Sequence, residues 1–443
     1  MSYYCGIDFG TSNSVVTLIG DQGPQDENPG PQDKDDPSHH PPLVIREPSL
    51  MYFPEHDEGT AERYCGSRAL AEYIDHGMTG RFFQSVKTIL PDPGFTHTTI
   101  NGKRFSASDL VAVMLRYLRE EAERRSGRSV TRAVLGRPAR FSQDPEREQI
   151  AGNRLQEAAT QAGFTHVEFE LEPVAGAHAF AETSTTGIPT GSVIFVADHG
   201  GGTSDFTLFR LGRDTRNLLT AEEVLSTHGI RAGGDDFDGT IMWNRLVETF
   251  GYGTHYESFG KYLPVPVHIY HIISRWDQIH FLKTLSYREE LKYYLRSSDN
   301  PLTIRRLIKL VEEDLGYFIF KAIESAKIEL SSTTTTVVAY EKDKLRIHEE
   351  LGRDEFEGYI SRYTDAIQVA IDDTLTAGGL GLETAADAVQ GVFMTGGSSR
   401  VPAVRRLMER RFGSDKIIDD QDQFQSVSLG LALVARERGI ASS

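Results

Sequence analysis

One short pattern occurs twice in this chain. Residues 6–19 read GIDFGTSNSVVTLI and residues 196–209 read VADHGGGTSDFTLF. Each copy runs from an apolar residue to an aspartate, a variable residue and a glycine turn. Thr-Ser follows, then a strand ending in Thr-Leu and another apolar residue. In the first copy the apolar, β-branched runs 3–9 and 14–19 flank Gly10, Thr11 and Ser12, which reads as a β-hairpin. A repeat about 190 residues apart predicts two similar lobes facing each other. The length of 443 residues agrees, since one hydrophobic core rarely serves so long a chain.

The paired hairpins carry a chemical reading. Glycines let backbone amides approach phosphate oxygens, because no Cβ stands in the way. Successive amides make an anion-binding nest. Thr11, Ser12 and Thr203 add hydroxyl donors. Asp8 and Asp198, at strand ends, would repel bare phosphates, so a cation must sit between. Magnesium suits that place, because it keeps most of its waters and is held by one or two carboxylates plus phosphates. The pair therefore predicts a magnesium nucleotide, ATP above all. A single hairpin of this kind would be only a glycine turn. No G-x-x-x-x-G-K-[ST] exists, so the chain is not a P-loop protein, and neither G-x-S-x-G nor H-E-x-x-H occurs.

Composition excludes other classes. The net charge of -17 argues against nucleic acid and against an anionic membrane surface as partners. Cys5 and Cys65 are the only cysteines, too few for a disulfide scaffold or a C-x-x-C zinc site. The N-terminus MSYYCGIDFG lacks a secretory pattern, and no apolar run reaches membrane-spanning length. Cytoplasm is the expected location.

Along the chain, residues 21–42 are acidic, rich in Pro and Gly, and expected to be a disordered surface loop. A helix is expected over 108–125, with Ser106 and Ser108 as candidate caps, then a strand at Ala133–Leu135. A helix at about 146–162, a strand at Val167–Leu171 and a helix over 173–184 follow. A new strand opens at Val193. Asn300 then Pro301 is a cap followed by a first-turn proline, starting a long helical run towards Ser331. A strand pair is expected at Thr335–Tyr340 and Lys344–His348. Val392–Met394, a helix over 402–412 and a last helix over 426–438 close the chain. Alternating strands and helices point to α/β architecture.

Taken together, the motifs resemble the Hsp70/actin/sugar-kinase ATPase superfamily, and Hsp70 in particular. GIDFGTSNS resembles the first phosphate motif, DHGGGTSD the second, and FMTGGSSRVPAVRRLM over 393–408 the adenosine motif. Glu172-Pro173-Val174-Ala175 and Gly233-Gly234-Asp235-Asp236-Phe237-Asp238 are matches particular to Hsp70. AIESAKIELSS over 322–332 resembles the helix that contacts adenosine.

The resemblance implies a two-lobed actin-like ATPase fold of α/β class. Lobe I spans 1–189, with a peripheral part at about 43–107. Lobe II spans 190–418, with a helical peripheral part at about 231–353. The stretch 419–443 forms a C-terminal helix returning to lobe I. No client-binding domain follows, as in the short stand-alone, YegD-like homologues. Slow hydrolysis of ATP is implied, in a chaperone-like or regulatory protein with an unidentified protein partner. A nucleotide-gated module with negligible turnover and a small-molecule kinase are the alternatives.

Residue roles follow from the same resemblance. Asp8 and Asp198 hold Mg2+ through water. Gly10, Thr11, Ser12, Asn13, Gly200, Gly201, Gly202 and Thr203 hold the phosphates. Lys87 stands beside the γ-phosphate, while Glu172 and Asp205, with Thr203, act on the attacking water. Glu324, Lys327 and Ser331 contact ribose and adenine, with Gly233 close by. Gly396, Gly397, Ser398 and Arg400 flank the base. Pro138 and Arg147 match positions that relay nucleotide state. Ile328 stands where Hsp70 has a second arginine on adenine, Phe424 where the last motif is acidic, and His199 where the second hairpin is apolar. The imidazole of His199 is expected to be packed or solvent-exposed. Residues 251–300 match Hsp70 poorly and read as an insertion. Its His268, His271 and His280 suggest an aromatic, amphipathic helix before a metal site.

Overall fold

Strands form where the repeat predicts them, and they form twice in one arrangement. The computed structural model describes residues 3–20, 41–55, 62–76, 79–138, 140–142, 144–183, 189–213, 219–342, 345–419 and 426–442. The acidic stretch, apart from Pro41 and Pro42, lies outside the described residues, as does Phe424.

In the first sheet, β1 (Tyr3–Phe9) pairs antiparallel with β2 (Asn13–Gly20), and β3 (Leu43–Pro48) continues beyond β2. On the other side of β1 lie β4 (Arg132–Arg137) and β5 (His166–Leu171), both parallel to it. The second sheet comprises β6 (Val193–His199), β7 (Ser204–Arg213), β8 (Leu219–Ile230), β9 (Val389–Thr395) and β10 (Ile417–Asp419). Its order, β8-β7-β6-β9-β10, repeats the β3-β2-β1-β4-β5 order of the first. Register repeats as well. Phe9 faces Ser14 and Asp8 faces Val15, while His199 faces Ser204 and Asp198 faces Asp205. The sequence repeat is thus a repeat of topology. A last strand, β11 (Ala441–Ser442), pairs with the start of β1.

Helices cover the first sheet on both faces. Ser106, not Ser108, caps α1 (Ala107–Ser126) through a box with Asp109, and Gly127 closes it in the left-handed region. Asp144 caps α2 (Pro145–Gln161), with proline in its first turn. These two helices share a core with Ala133 and Leu135 of β4. The intervening Val134 faces the opposite side and packs with Val427, Leu431 and Val434 of α7 (Ser426–Glu437), after α3 (Glu172–Thr183), α4 (Gly234–Ile241), α5 (Gly316–Glu329) and α6 (Pro402–Phe412) in the chain. Glycine makes this close packing possible. A Cβ on Gly6 would lie 2.2 Å from the Ser428 carbonyl oxygen, and one on Gly430 would lie 1.7 Å from that of Ala175. A buried hydrogen bond of 2.7 Å between Thr17 Oγ1 and Ser428 Oγ ties the same layers.

The chain divides into two compact units. One comprises Met1–Arg231, Ile367–Ser399 and Leu407–Ser443; the other comprises Ala232–Ala366 and Arg400–Arg406. Both of these sheets belong to the first. In the second, the run expected to be helical from Pro301 towards Ser331 is two helices, Pro301–Glu312 and α5. Asp314 between them has φ 50°, in the left-handed region, which no continuous helix tolerates. Asn300 occupies the cap position without a side-chain bond. The stretch 251–300 folds as a hairpin of His255–Ser258 with Lys261–Pro264, then the short helix Val267–Ile273 and the helix Leu285–Ser297. The helix expected through His268, His271 and His280 thus carries the first two and ends before the third. His271 stacks flat on Trp243, ring centroids 4.4 Å apart. Among the described residues no three His, Cys, Asp or Glu stand together as metal ligands, and no helix is long and apolar enough to cross a membrane.

Candidate active site

The two turns lie against each other inside the first unit. A Cβ on Gly202 would sit 3.4 Å from Thr11 Oγ1, at ordinary contact distance. Gly10 is sterically required, because a Cβ there would meet the Asn13 carbonyl oxygen at 2.1 Å. In the second turn Gly200 N donates to the Thr203 carbonyl at 2.9 Å.

Serines tie down the carbonyls of the first turn. Ser49 Oγ donates to Gly10 O at 2.7 Å and Ser85 Oγ to Thr11 O at 2.6 Å. Ser49 N donates to Ser12 O at 3.0 Å. The second turn has a counterpart, Ser398 Oγ donating to Gly200 O at 3.1 Å. Ser49 and Ser85 were not legible as site residues. Their only signal was the position of Ser85 two residues before Lys87.

Ser85, at φ 50°, leads into the short helical turn Val86–Ile89 that carries Lys87 inwards. Lys87 Nζ lies 2.7 Å from Glu172 Oε1, both side chains being buried. Glu172 is the first residue of α3, immediately after β5. Gly136 of β4 leaves it room, since a Cβ there would lie 3.1 Å from Glu172 Cγ.

Asp8, Asp198 and Asp205 share the field of this pair. Burial, then Glu172, pushes Asp8 up to about 7 against the pull of Lys87. Burial, then Glu172, Asp205 and Asp8, holds Asp198 well above the usual carboxylate range. Burial alone would lower the Lys87 ammonium, but Glu172, Asp8 and Asp205 together hold it above its ordinary value. Four carboxylates thus surround one lysine, a charge imbalance that a bound divalent cation would relieve.

His199 is packed, as expected. Its Nδ1 lies 2.9 Å from Ser204 Oγ, its ring meets Phe206 edge-on, and burial drops it to about 3, so it is neutral. The glycine after β9 joins the same place. Gly396 has φ +79°, and a Cβ would come within 2.3 Å of His199 O and 2.7 Å of Asp198 Oδ1. The structure therefore brings Asp8, Thr11, Lys87, Glu172, Asp198, Gly202, Asp205, Gly396 and Ser398 together. Ser12, Asn13, Gly201, Thr203 and Gly397 are their chain neighbours in the same turns. Pro138 follows β4, buried, and Arg147 is half exposed in the first turn of α2.

The residues implied for ribose and adenine lie in the second unit, except those of the Gly396–Ser398 stretch. There Lys327 of α5 is buried, its Nζ 2.9 Å from Asp238 and 3.1 Å from the Gly234 carbonyl, beside Gly233 at the start of α4. Glu324 pairs with Lys321 on the surface, Ser331 follows the end of α5, and Ile328 and Arg400 are exposed.

A family model described as Hsp70 protein matches residues 61–257 and 316–437, well over half of the chain. The first hairpin precedes that match and rests on its structural identity with the second. The unmatched interval, 258–315, covers most of the predicted insertion at 251–300. Chaperone protein dnaK1 of a Synechocystis species is 27% identical over 345 residues, 76% of this chain and 40% of the relative. Chaperone protein DnaK of Mycoplasma mobile is 26% identical over 413 residues, 91% of this chain and 53% of the relative. DnaK of Mycoplasmopsis pulmonis is 26% identical over 424 residues, 92% and 54% respectively. The chain spans about half the length of these curated relatives.

Proposed function

Because this chain belongs to the Hsp70 family, with the α/β fold of that family's nucleotide-binding domain, we propose that its paired turns hold the phosphates of magnesium ATP and that it hydrolyses this nucleotide slowly. The observation that carries the reading is the single buried Lys87 among Asp8, Asp198, Asp205 and Glu172. Such an excess of buried carboxylate fits an additional cation, and carboxylates that reach magnesium through its waters need not converge as direct ligands.

In this reading Asp8 and Asp198 orient the hydrated magnesium, which neutralises charge on the phosphate oxygens when bound. Backbone amides and hydroxyls of residues 10–13 and 200–203 hold those oxygens. Glu172 and Asp205 orient the attacking water, and Thr203 positions it. Lys87 stabilises the charge that develops on the transferred phosphoryl group. Positioning supplies most of the catalysis, as is general for phosphoryl transfer. Gly233, Glu324, Lys327, Ser331, Gly397 and Arg400 serve the nucleoside. The two-lobe division at about residue 189 and the C-terminal helix from 419 belong to this proposal. So does a cytoplasmic, chaperone-like or regulatory role gated by nucleotide.

Phosphate release from ATP with magnesium tests it. The wild type is expected to turn over slowly and Lys87→Ala to fall to background. Equal background rates in both, with ATP still bound, would leave a nucleotide-gated module without turnover. Strong stimulation by a sugar or acid acceptor would instead mark a kinase.

A further inference from the structure

We propose that a cleft in the second unit, walled by Trp243, Trp276 and Tyr363 and edged by Asp235, Asp236 and Asp277, binds a guanidinium or alkylammonium group. The cleft measures ≈ 370 Å³, within the range of about 300–1,000 Å³ usual for small-ligand pockets. It is independent of the nucleotide reading, since neither the phosphate turns nor Lys87 takes part.

The walls are rigid. Trp243 is clamped on one face by His271, with an interplanar angle of 2°. The Trp276 indole donates a hydrogen bond to Asp235. Tyr363 meets Phe237 of α4 edge-on at 6.0 Å. Aromatic faces beside carboxylates are the chemistry that recognises organic cations.

Two resident arginines already use both modes of contact. Arg275 spans Asp236 and Asp277 at 3.8 and 3.5 Å, and Arg362 lies over the Tyr363 ring at 4.5 Å from its centroid. Arg362 also donates to the Tyr363 hydroxyl at 2.6 Å. Of the three carboxylates, Arg275 takes two. Asp235 is the one left over, with no ion pair among the described residues. Burial, then Asp238 and Asp277, raises it to about 7, in spite of Lys327. An arriving cation has a carboxylate to meet there. The aromatic walls favour an organic cation over a divalent metal, which takes oxygen ligands.

The chain has two tryptophans, and both line this cleft, so intrinsic tryptophan fluorescence reports on it alone. Agmatine and an arginine-containing heptapeptide are titrated into the full chain, with butylurea as the neutral control and phosphate as the anionic one. The expected result is a saturable change with agmatine, with the peptide, or with both. A response to agmatine identifies a free amine or guanidine, and a response to the peptide alone identifies a side chain of a protein partner. Asp235→Asn is expected to weaken binding at least tenfold. It removes a partly buried charge, so its melting temperature should not fall, and Asp277→Asn serves as the second variant. No saturable change, an equal change with butylurea or phosphate, or wild-type affinity in both variants would overturn the proposal.

Discussion

Lys87 Nζ and Glu172 Oε1 are 2.7 Å apart and come from opposite ends of the first unit's early sequence, 85 residues apart. The lysine sits on a short helical turn and the glutamate on the first turn of α3. Neither position means much by itself, since isolated Lys and Glu are usually surface charges. Joined and buried, they organise three further carboxylates.

Breaking this pair should therefore be costly. Lys87→Ala leaves a buried carboxylate without its partner, and a loss of about 3–5 kcal/mol is expected in denaturant unfolding. Glu172→Gln should cost less, because Asp8 and Asp205 still face the ammonium. The double variant should be more stable than the sum of the single losses implies. Additive losses would show that the pair is not coupled.

Magnesium should act in a pH-dependent way. Asp8 is raised to about 7 in the folded chain from an ordinary value of 3.8. Between these values the folded state holds more protons than the unfolded state, so this group costs stability as pH rises from 4 to 7. The same ionised carboxylate is what the cation requires. Magnesium with nucleotide should thus raise the melting temperature more at pH 8 than at pH 5. Asp8→Asn should stabilise the free protein at pH 8 and reduce that magnesium increment. Melting curves at the two pH values read both effects.

Gly396 offers a steric test of the third motif. Its φ of +79° strains any other residue, and an added Cβ would strike His199 O at 2.3 Å and Asp198 Oδ1 at 2.7 Å. Gly396→Ala should destabilise by about 1–3 kcal/mol from backbone strain alone. It should also weaken magnesium nucleotide binding, by displacing Asp198. Calorimetric titration checks the second effect, and unchanged affinity would detach Gly396 from the site.

Much of this arrangement was legible from local patterns. The hairpins around Gly10 and Gly200–Gly202, the capped start of α1 and the final helix all follow from side-chain period, caps and turn residues. These signals act within a few residues and survive in any context. The run from 301 to 331 reads as continuous, because apolar spacing resumes after the break at Asp314 and period alone cannot register one left-handed residue. The aromatic spacing through His268, His271 and His280 likewise reads as one helix, but the helix ends at Ile273, with Tyr270 buried and its hydroxyl donating to Gly251 O.

The sequence by itself determined that two like hairpins exist, that each presents an aspartate before a glycine turn, and that strands alternate with helices around them. Local sterics and hydrogen bonding suffice for that. Tertiary structure alone decided that the two sheets share one strand order, that Ser49 and Ser85 anchor the first turn while Ser398 anchors the second, and that four carboxylates share one lysine. Those outcomes depend on which distant segments lie side by side. They also depend on burial, which turns an ordinary lysine and glutamate into a strongly coupled pair by removing water from around both.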